Sequence, residues 1–556
     1  IDGTYLPWSY DFQKYLLTAF PLPEGLKPIP AEVYLPPKYY LEIDQGLIDT
    51  RPSVNDVQVF EGDLTSSSHQ DVDISPWSPR NMPQVASGTE NIWTPRPETL
   101  AHWKCEQSRE DHIINDLLTD EKILPVNEHI PLPNGYNVTL RANICMTPND
   151  HFQDVRELVF TCNDKISYEP GDSIVIYPKN FSEDVDRLIN LMNWKMVADR
   201  NLKFKSEHPD YYGDKWLVSA APHLYPIPHS TLRQLLTHNL DITSIPKRRF
   251  FEVIAHYTEN AMHKERLLEF ANPLLTDELY DYTSRPRRGI LEVLEDFPSV
   301  QLPWRYITSI IPMIRGRAYS IASGGAERFV STKSGIVTKV KILVAIVKYR
   351  TILRKIRRGL CSRYLESLNE KAKIQVQFQK SQSFFKLART APHLPLILVA
   401  PGTGIAPCRS LILQRKESNF GAERLAKAID IGVHYLFYGG RNYRADFFYE
   451  QDWIAENMQT IVFPAFSRDQ KEKVYVQDMI RREAKLVASL ILKQEAIIYV
   501  CGSSGRMPKE VRDSFISVLM SRDLDVLLPG VPFTKETAAQ KLEEMVRAGH
   551  YVQETW

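Results

Sequence analysis

The sequence predicts a multidomain chain in which a small β-rich domain with an all-helical insertion is followed by a parallel α/β domain. Three observations carry that expectation. Strand-like runs open at Tyr136-Asn137-Val138-Thr139-Leu140, continue through residues 155–162 and 173–177, and return at 318–322 and 340–347. Between them, residues 181–313 switch to helical spacing, with Leu188, Leu191 and Met192, then Leu232, Leu235 and Leu236, then a long run from Phe250 to Phe270. The remainder, from about residue 391, alternates short apolar strands with helices, the signature of a parallel sheet covered on both faces.

Taken in order, residues 1–27 read as an amphipathic end-piece, with Tyr10, Phe12, Tyr15, Leu16, Leu17 and Phe20 at helical spacing and Pro21 and Pro23 closing it. A lone helix of this size cannot bury such a face, so it is expected to be the last element of a domain whose body precedes Ile1. Residues 28–135 read as a Pro-rich acidic linker. Of the 37 prolines, 16 fall within the first 136 residues, and residues 53–92 hold six acidic side chains against one Arg. Such a stretch buries too little apolar surface to offset its ordering entropy, so partial disorder is expected. Trp77 and Trp93 are unusual in a spacer and either dock on a neighbouring surface or lie there by chance. The β-rich domain then spans 136–390, with its insertion at 181–313, and the α/β domain spans 391–556.

The 556 residues allow roughly three to five domains. They carry 68 basic and 68 acidic side chains, a balance that gives no reason to expect a nucleic-acid or anionic-membrane partner. No apolar stretch reaches the ~18 residues needed to cross a bilayer. Six cysteines at 105, 145, 162, 361, 408 and 501 are scattered, without a CxxC pair or a His at zinc-ligand spacing. That favours a reduced compartment and no metal site.

The strongest local signal is Leu396-Ile397-Leu398-Val399-Ala400 followed by Pro401-Gly402-Thr403-Gly404-Ile405-Ala406-Pro407. A buried strand ends in a glycine turn whose amides, with the helix that follows, can face a pyrophosphate. Pro407 suits the first turn of that helix. Read alone, the run is also compatible with a tight strand-to-helix turn that binds nothing. About sixty residues on, Ser467-Arg468 and Lys473-Val474-Tyr475-Val476-Gln477 offer donors for a phosphate monoester and a ring for adenine, which together would select NADPH over NADH. Ile497-Ile498-Tyr499-Val500-Cys501-Gly502 is a second strand running into a small-residue turn, where Cys501 is either plain core or a neighbour of the nicotinamide. Arg317-Ala318-Tyr319-Ser320 places a cation, a ring and a hydroxyl within four residues, suited to the pyrophosphate, ring and N5 edge of a flavin. Gly359-Leu360-Cys361-Ser362 is a second possible amide cradle.

In this order the motifs resemble the diflavin reductase family, whose members include cytochrome P450 reductase, over roughly residues 130–556. The closing Gln553-Glu554-Thr555-Trp556, the Arg285-Pro286-Arg287-Arg288 segment and the Pro21–Pro28 segment favour the cytosolic branch that passes electrons to an anamorsin-type iron–sulfur assembly factor. The resemblance implies an FAD-binding antiparallel β-barrel with a helical connecting insertion, then a Rossmann-like NADP-binding domain, as in ferredoxin–NADP reductase. It implies FAD contacts from Arg287, from Arg317, Ala318, Tyr319 and Ser320, and from Gly359, Leu360, Cys361 and Ser362. For NADPH it implies Thr403, Ser467, Arg468 and the run Lys473, Val474, Tyr475, Val476 and Gln477. Glu510 stands where the family usually has Asp for a ribose contact, and Glu554 likewise replaces the Asp of cytochrome P450 reductase. Ser320, Cys501 and Glu554 would polarise the hydride-transfer site, with Trp556 covering the flavin until NADPH displaces it. Residues 1–27 become the remnant of a flavodoxin-like FMN domain, and the setting is expected to be cytoplasmic, with a mitochondrial one also open. Two rivals remain at this point: a reductase serving another haem or flavin acceptor, and a non-catalytic FAD fold that binds a partner through the acidic linker.

Overall fold

The computed structural model describes residues 2–22, 37, 39–44, 132, 134–206, 231–332, 335–381, 385–420, 431–454, 459–521 and 533–556. The chain opens with helix α1 (Asp2–Ala19), on which Trp8, Phe12, Tyr15 and Leu17 are exposed. Strand β1 (Tyr39–Ile43) follows. Trp77, Trp93 and the acidic run at 53–92 lie outside the described residues.

The β lobe is built on strands β2 (Tyr136–Cys145), β3 (Val155–Cys162) and β4 (Ser173–Ile176). Helix α2 (Ser182–Leu191) and strand β5 (Leu202–Ser206) open the insertion. Helices α3 (Leu232–His238), α4 (Arg248–Ile254), α5 (Ala261–Ala271) and α6 (Ile290–Asp296) continue it. The insertion is therefore not all-helical, and the linker is not wholly a linker. β1, from the stretch read as linker, pairs antiparallel with β5, Tyr39 opposite Ser206 and Ile43 opposite Leu202. Leu41 at its centre is fully buried in one core with Leu188, Leu236, Phe251 and Leu294. An apolar face from a distant strand supplies what the helices alone leave open.

After the insertion come β6 (Arg317–Ser320), β7 (Phe329–Thr332), β8 (Gly335–Ala345), β9 (Lys348–Arg350), β10 (Ile356–Arg358), helix α7 (Leu360–Ser367) and β11 (Lys373–Gln379). Seven strands form one antiparallel sheet in the order β6-β4-β11-β2-β3-β8-β7. Just past β6, Ile321 bridges Ile342 of β8, so the sheet curls back on itself over a core of Leu158, Phe160, Ile174, Ile321 and Ile342.

The nucleotide lobe begins with β12 (Leu396–Pro401) and helix α8 (Ile405–Phe420), then β13 (His434–Gly440) and β14 (Thr460–Phe466). Helices α9 (Val476–Arg482) and α10 (Ala484–Lys493), strand β15 (Ile497–Gly502), helices α11 (Met507–Leu519) and α12 (Lys535–Ala548) and strand β16 (Tyr551–Thr555) complete it. Its five strands are parallel, in the order β14-β13-β12-β15-β16. Alternate residues of β12 enter two cores: Ile397 and Val399 one, Leu396, Leu398 and Ala400 the other. Burial on both faces explains why this strand reads as an unbroken apolar run. The second core also holds Ala322, Val155 and Leu343 of the β lobe together with Cys408 and Cys501, so the two lobes share apolar packing beside the carboxyl ends of the strands. Among the described residues no helix is long and apolar enough to cross a membrane.

Candidate functional site

In the parallel sheet the strand order reverses on either side of β12, and ligands of such sheets occupy the crevice beyond the strand ends at that point. The end of β12 turns through Gly402–Gly404 before α8 begins. Gly402 has φ +58°, with open space where a side chain would stand. A Cβ on Gly404 would lie 2.2 Å from the carbonyl oxygen of Cys501, so the turn rests directly on the end of β15 and only glycine fits. Thr403 between them is half-buried. The sixteen-residue helix that follows points its positive end at the crevice.

Cys501 is fully buried, and its Sγ lies 3.6 Å from that of Cys408, also fully buried. Burial, then the Cys408 contact and the nearby Glu554 charge, push the Cys501 thiol well above its ordinary value, so it is a neutral S–H and not a thiolate. Glu554 stands opposite Cys501 in the parallel register of β16 on β15. Its Oε2 is buried without a hydrogen-bond partner among the described residues, and burial raises its carboxyl to about 7. Trp556 is held by its backbone: its N–H donates to Gly502 O at 3.1 Å and its carbonyl accepts from Ser504 N at 2.9 Å. Its ring is left 52% exposed at the mouth of the turn.

The β-lobe motifs also converge. Tyr319 and Cys361 share a hydrogen bond; burial first, then this contact, raises the Tyr319 phenol. Burial raises Cys361 to about 11, opposed by the Tyr319 bond and the charge of Arg317. The Arg317–Ser320 strand and the Gly359–Ser362 turn are thus one site. Ser362 Oγ accepts from Val347 N at 3.0 Å and donates to Gly359 O at 3.2 Å, which shapes the N-terminus of α7. Leu360 packs against the core and Ala318 is exposed. Arg287 has φ +54° and an exposed side chain that forms no ion pair among the described residues. Arg357 donates to the carbonyl of neighbouring Pro286 at 3.3 and 3.4 Å, tying that turn to the strand that leads into Gly359. Arg287 and Arg317, neither of them in an ion pair among the described residues, together with a helix N-terminus and a half-buried ring suit the anionic and aromatic parts of FAD. Ser320 pairs with Ser173, and no hydrogen bond joins it to Cys501 or Glu554 among the described residues. The structure brings Cys501 and Glu554 together and leaves Ser320 on the facing strand.

On the far side of the sheet, Ser467 N and Arg468 N donate to the carbonyls of Gly440 and Arg441 at 3.0 and 2.8 Å. Arg468, Lys473 and Tyr475 are exposed, Ser467 is buried, and Val474 and Val476 turn into the core. Gln477 is buried and donates to Glu510 Oε2 at 2.7 Å, so the Glu in the expected Asp position orients an amide. Arg441, which sequence reasoning passed over, adds a cation here. Burial, then the like charge of Arg468, lower its affinity for its proton, and its guanidinium lies over the ring of Phe152 at 3.1 Å. Two arginines held this close fit a phosphate dianion between them. The signal that would have found Arg441 is Gly439-Gly440-Arg441 at the end of a parallel strand. Arg409 was passed over too, and Cys408 was read only as one of six scattered cysteines.

Comparison with known proteins follows the same division. Residues 138–364 match the family model of the FAD binding domain and residues 398–513 that of the oxidoreductase NAD-binding domain. The chain is 39% identical over 568 residues to a protein of Aspergillus fumigatus named NADPH-dependent diflavin oxidoreductase 1, covering all of this chain and 77% of that protein. The proteins of the same name from Emericella nidulans and Saccharomyces cerevisiae are 37% and 35% identical, over 100% and 80% of this chain and 76% and 67% of their own lengths.

Proposed function

This chain belongs to the NADPH-dependent diflavin oxidoreductase family, and from that premise we propose that residues 136–556 bind FAD and NADPH and carry out hydride transfer between them. The observation that carries the reading is the meeting of Gly404, Cys501, Glu554 and Trp556 at the point where the parallel sheet reverses its strand order. FAD, when bound, supplies the acceptor for the hydride and passes electrons onward one at a time.

The chain's own residues do the rest. The glycine turn and the α8 N-terminus hold the nucleotide pyrophosphate, while Ser467, Arg468, Lys473 and Arg441 hold the 2′-phosphate that distinguishes NADPH. Arg287, Arg317 and the Gly359–Ser362 turn hold the flavin phosphates, and Tyr319 packs beside them. Trp556, pinned by its backbone, has a ring free to move, so nicotinamide can displace it without unfolding the turn. The neutral Cys501 thiol adds no competing negative charge. Glu554, opposite Cys501 in the sheet register, would as a carboxylate stabilise the positive charge that develops on nicotinamide as hydride departs.

Onward transfer through FMN to an anamorsin-type iron–sulfur assembly factor in the cytoplasm completes the proposal. It is supported by the closing Gln553–Trp556 and the Arg285–Arg288 segment, and the exposed aromatic side of α1 suits an element belonging with the FMN-binding part. The core reading is tested by purifying the chain with FAD and adding NADPH anaerobically. The flavin absorbance should bleach, and colourless protein or an unbleached band overturns it. The acceptor is tested separately, by NADPH-driven reduction of a purified anamorsin-type protein by the full-length enzyme.

A further inference from the structure

Arg409 lies five residues beyond Gly404 on α8 and is only 4% exposed. Its Nε donates to Asp452 Oδ2 at 2.6 Å, and its Nη1 donates to Glu327 Oε2 at 2.6 Å and to the Ala322 carbonyl at 2.9 Å. The guanidinium also sits over the Tyr449 ring, 4.4 Å from its centre. Glu327 in turn meets Lys341 Nζ at 2.7 Å, and Lys341 meets Glu157 at 3.5 Å. The network crosses the molecule: Asp452 and Arg409 belong to the nucleotide lobe, and Glu327, Lys341 and Glu157 to the β lobe.

Backbone contacts run alongside it. Ser410 Oγ donates to the Ser323 carbonyl at 2.7 Å. A Cβ on Gly324 would come within 2.1 Å of the Ser410 carbonyl oxygen, and one on Gly325, at φ +54°, within 2.4 Å of that of Leu413. The segment 322–325 therefore lies flat on α8. Ala322 is two residues past Ser320, the end of the flavin-facing strand, and α8 begins at the turn that rests on Cys501. Both halves of the reaction site are bolted to one helix turn through one buried cation. The cation remains charged: burial works against it, but the bond to Glu327 and the charges of Glu327 and Asp452 together outweigh that, and Arg409 with Lys341 keeps Glu327 ionised despite its own burial.

We infer that Arg409 is a positioning residue for hydride transfer, setting the separation between the Arg317–Ser320 strand and the Gly402–Gly404 turn through its bonds to Ala322, Glu327 and Asp452. The inference rests on the proposed FAD and NADPH chemistry. Lysine keeps the charge but cannot reproduce three directed bonds from a planar fork, which makes Arg409→Lys the informative variant. Displacements of about an ångström cost on the order of a hundredfold in rate when chemistry depends on alignment.

The test uses the FAD-loaded full chain and three readouts: FAD content with the visible circular dichroism of the flavin, NADP⁺ affinity by calorimetry, and the anaerobic rate of reduction by NADPH. For Arg409→Lys the expected result is full FAD content, NADP⁺ affinity within about twofold of wild type, an altered response of the flavin dichroism to NADP⁺, and reduction slowed by about 10 to 100-fold. Wild-type reduction rate, or a loss of NADP⁺ affinity as large as the loss of rate, overturns the inference. If Arg409→Lys does not fold, the double variant Arg409→Met with Glu327→Gln removes both charges together and is held to the same criteria. Failure of the wild-type protein to bleach would instead overturn the functional reading itself.

Discussion

Each lobe opens its cradle with a glycine close to a buried cysteine, yet the two are built from different material. In the nucleotide lobe, a Cβ on Gly404 would come within 2.2 Å of the Cys501 carbonyl oxygen and 2.8 Å of its carbonyl carbon. In the β lobe, a Cβ on Gly359 would meet Ser362 Oγ and Val347 Cβ, each at 2.9 Å. Backbone at the centre of a parallel sheet cannot step aside, whereas the Ser362 hydroxyl can rotate away and Val347, in the loop between β8 and β9, has to give by only a few tenths of an ångström. The thiols differ in the same way. Cys361 has a phenol for a partner, and Cys501 has a second thiol and a carboxyl that titrates near neutrality. The nucleotide site is thus set by the sheet itself and the FAD site by adjustable side chains, so damage should be abrupt in the first and graded in the second.

The same methyl group placed on each glycine should separate the two lobes most strongly. Gly404→Ala should abolish measurable reduction by NADPH, a loss beyond about 100-fold, because the turn must leave its seat on β15. Gly359→Ala should weaken FAD retention by no more than about tenfold, the effect of an overpacked site that can still shift. Stopped-flow reduction and FAD titration measure the two losses, and equal losses would end the distinction.

Trp556→Ala comes next. With the ring gone, nicotinamide no longer has to displace it; NADH, which lacks the 2′-phosphate contacts that help drive that displacement, gains most, so the preference for NADPH over NADH should narrow by about tenfold, in line with the ~0.5–1.5 kcal/mol of an aromatic stack. Steady-state kcat/KM with both nucleotides measures this, and an unchanged ratio removes the stacking role. The two thiols then separate the lobes. Cys501→Ala should slow flavin reduction by roughly tenfold with NADP⁺ affinity intact, the mark of an interaction made in the transition state. Cys361→Ala should leave that rate near wild type and loosen FAD instead. A Cys501 variant that loses affinity and rate together would be acting as packing.

What could be read from the sequence follows the same line between local and distant. The buried β12 run, its glycine turn, and the Arg317–Ser320 and Gly359–Ser362 segments are contiguous, and each carries its chemistry within a few residues. β1 was not legible, because Tyr39–Ile43 has meaning only beside Leu202–Ser206, and prolines on both sides make it read as linker. Arg409 was invisible for a related reason: its partners Ala322, Glu327 and Asp452 come from both lobes, and an arginine on a helix otherwise reads as solvated. Ser320, named with Cys501 and Glu554 from resemblance, shares no hydrogen bond with them among the described residues. Which motifs belong together was legible, and which atoms touch was not.

The smallest effect is the most specific to the nucleotide lobe. Glu554 has an ordinary value of 4.5 and is raised by burial to about 7, so the folded protein keeps this proton where the unfolded chain has released it. Unfolding then releases a proton, and stability should fall as pH rises from about 4.5 to about 7 and level off above. The reaction should move the other way. The carboxylate favours the positive charge that develops on nicotinamide, so flavin reduction should speed up several-fold as pH rises through about 7. In Glu554→Gln both pH dependences should vanish together: stability is flattened across that window, and the rate stays at the low-pH level. Thermal unfolding and stopped-flow reduction over pH 5 to about 9 measure them in one series. Persistence of the rate transition in Glu554→Gln would assign it to another group and leave Glu554 as a buried acid without a part in the chemistry.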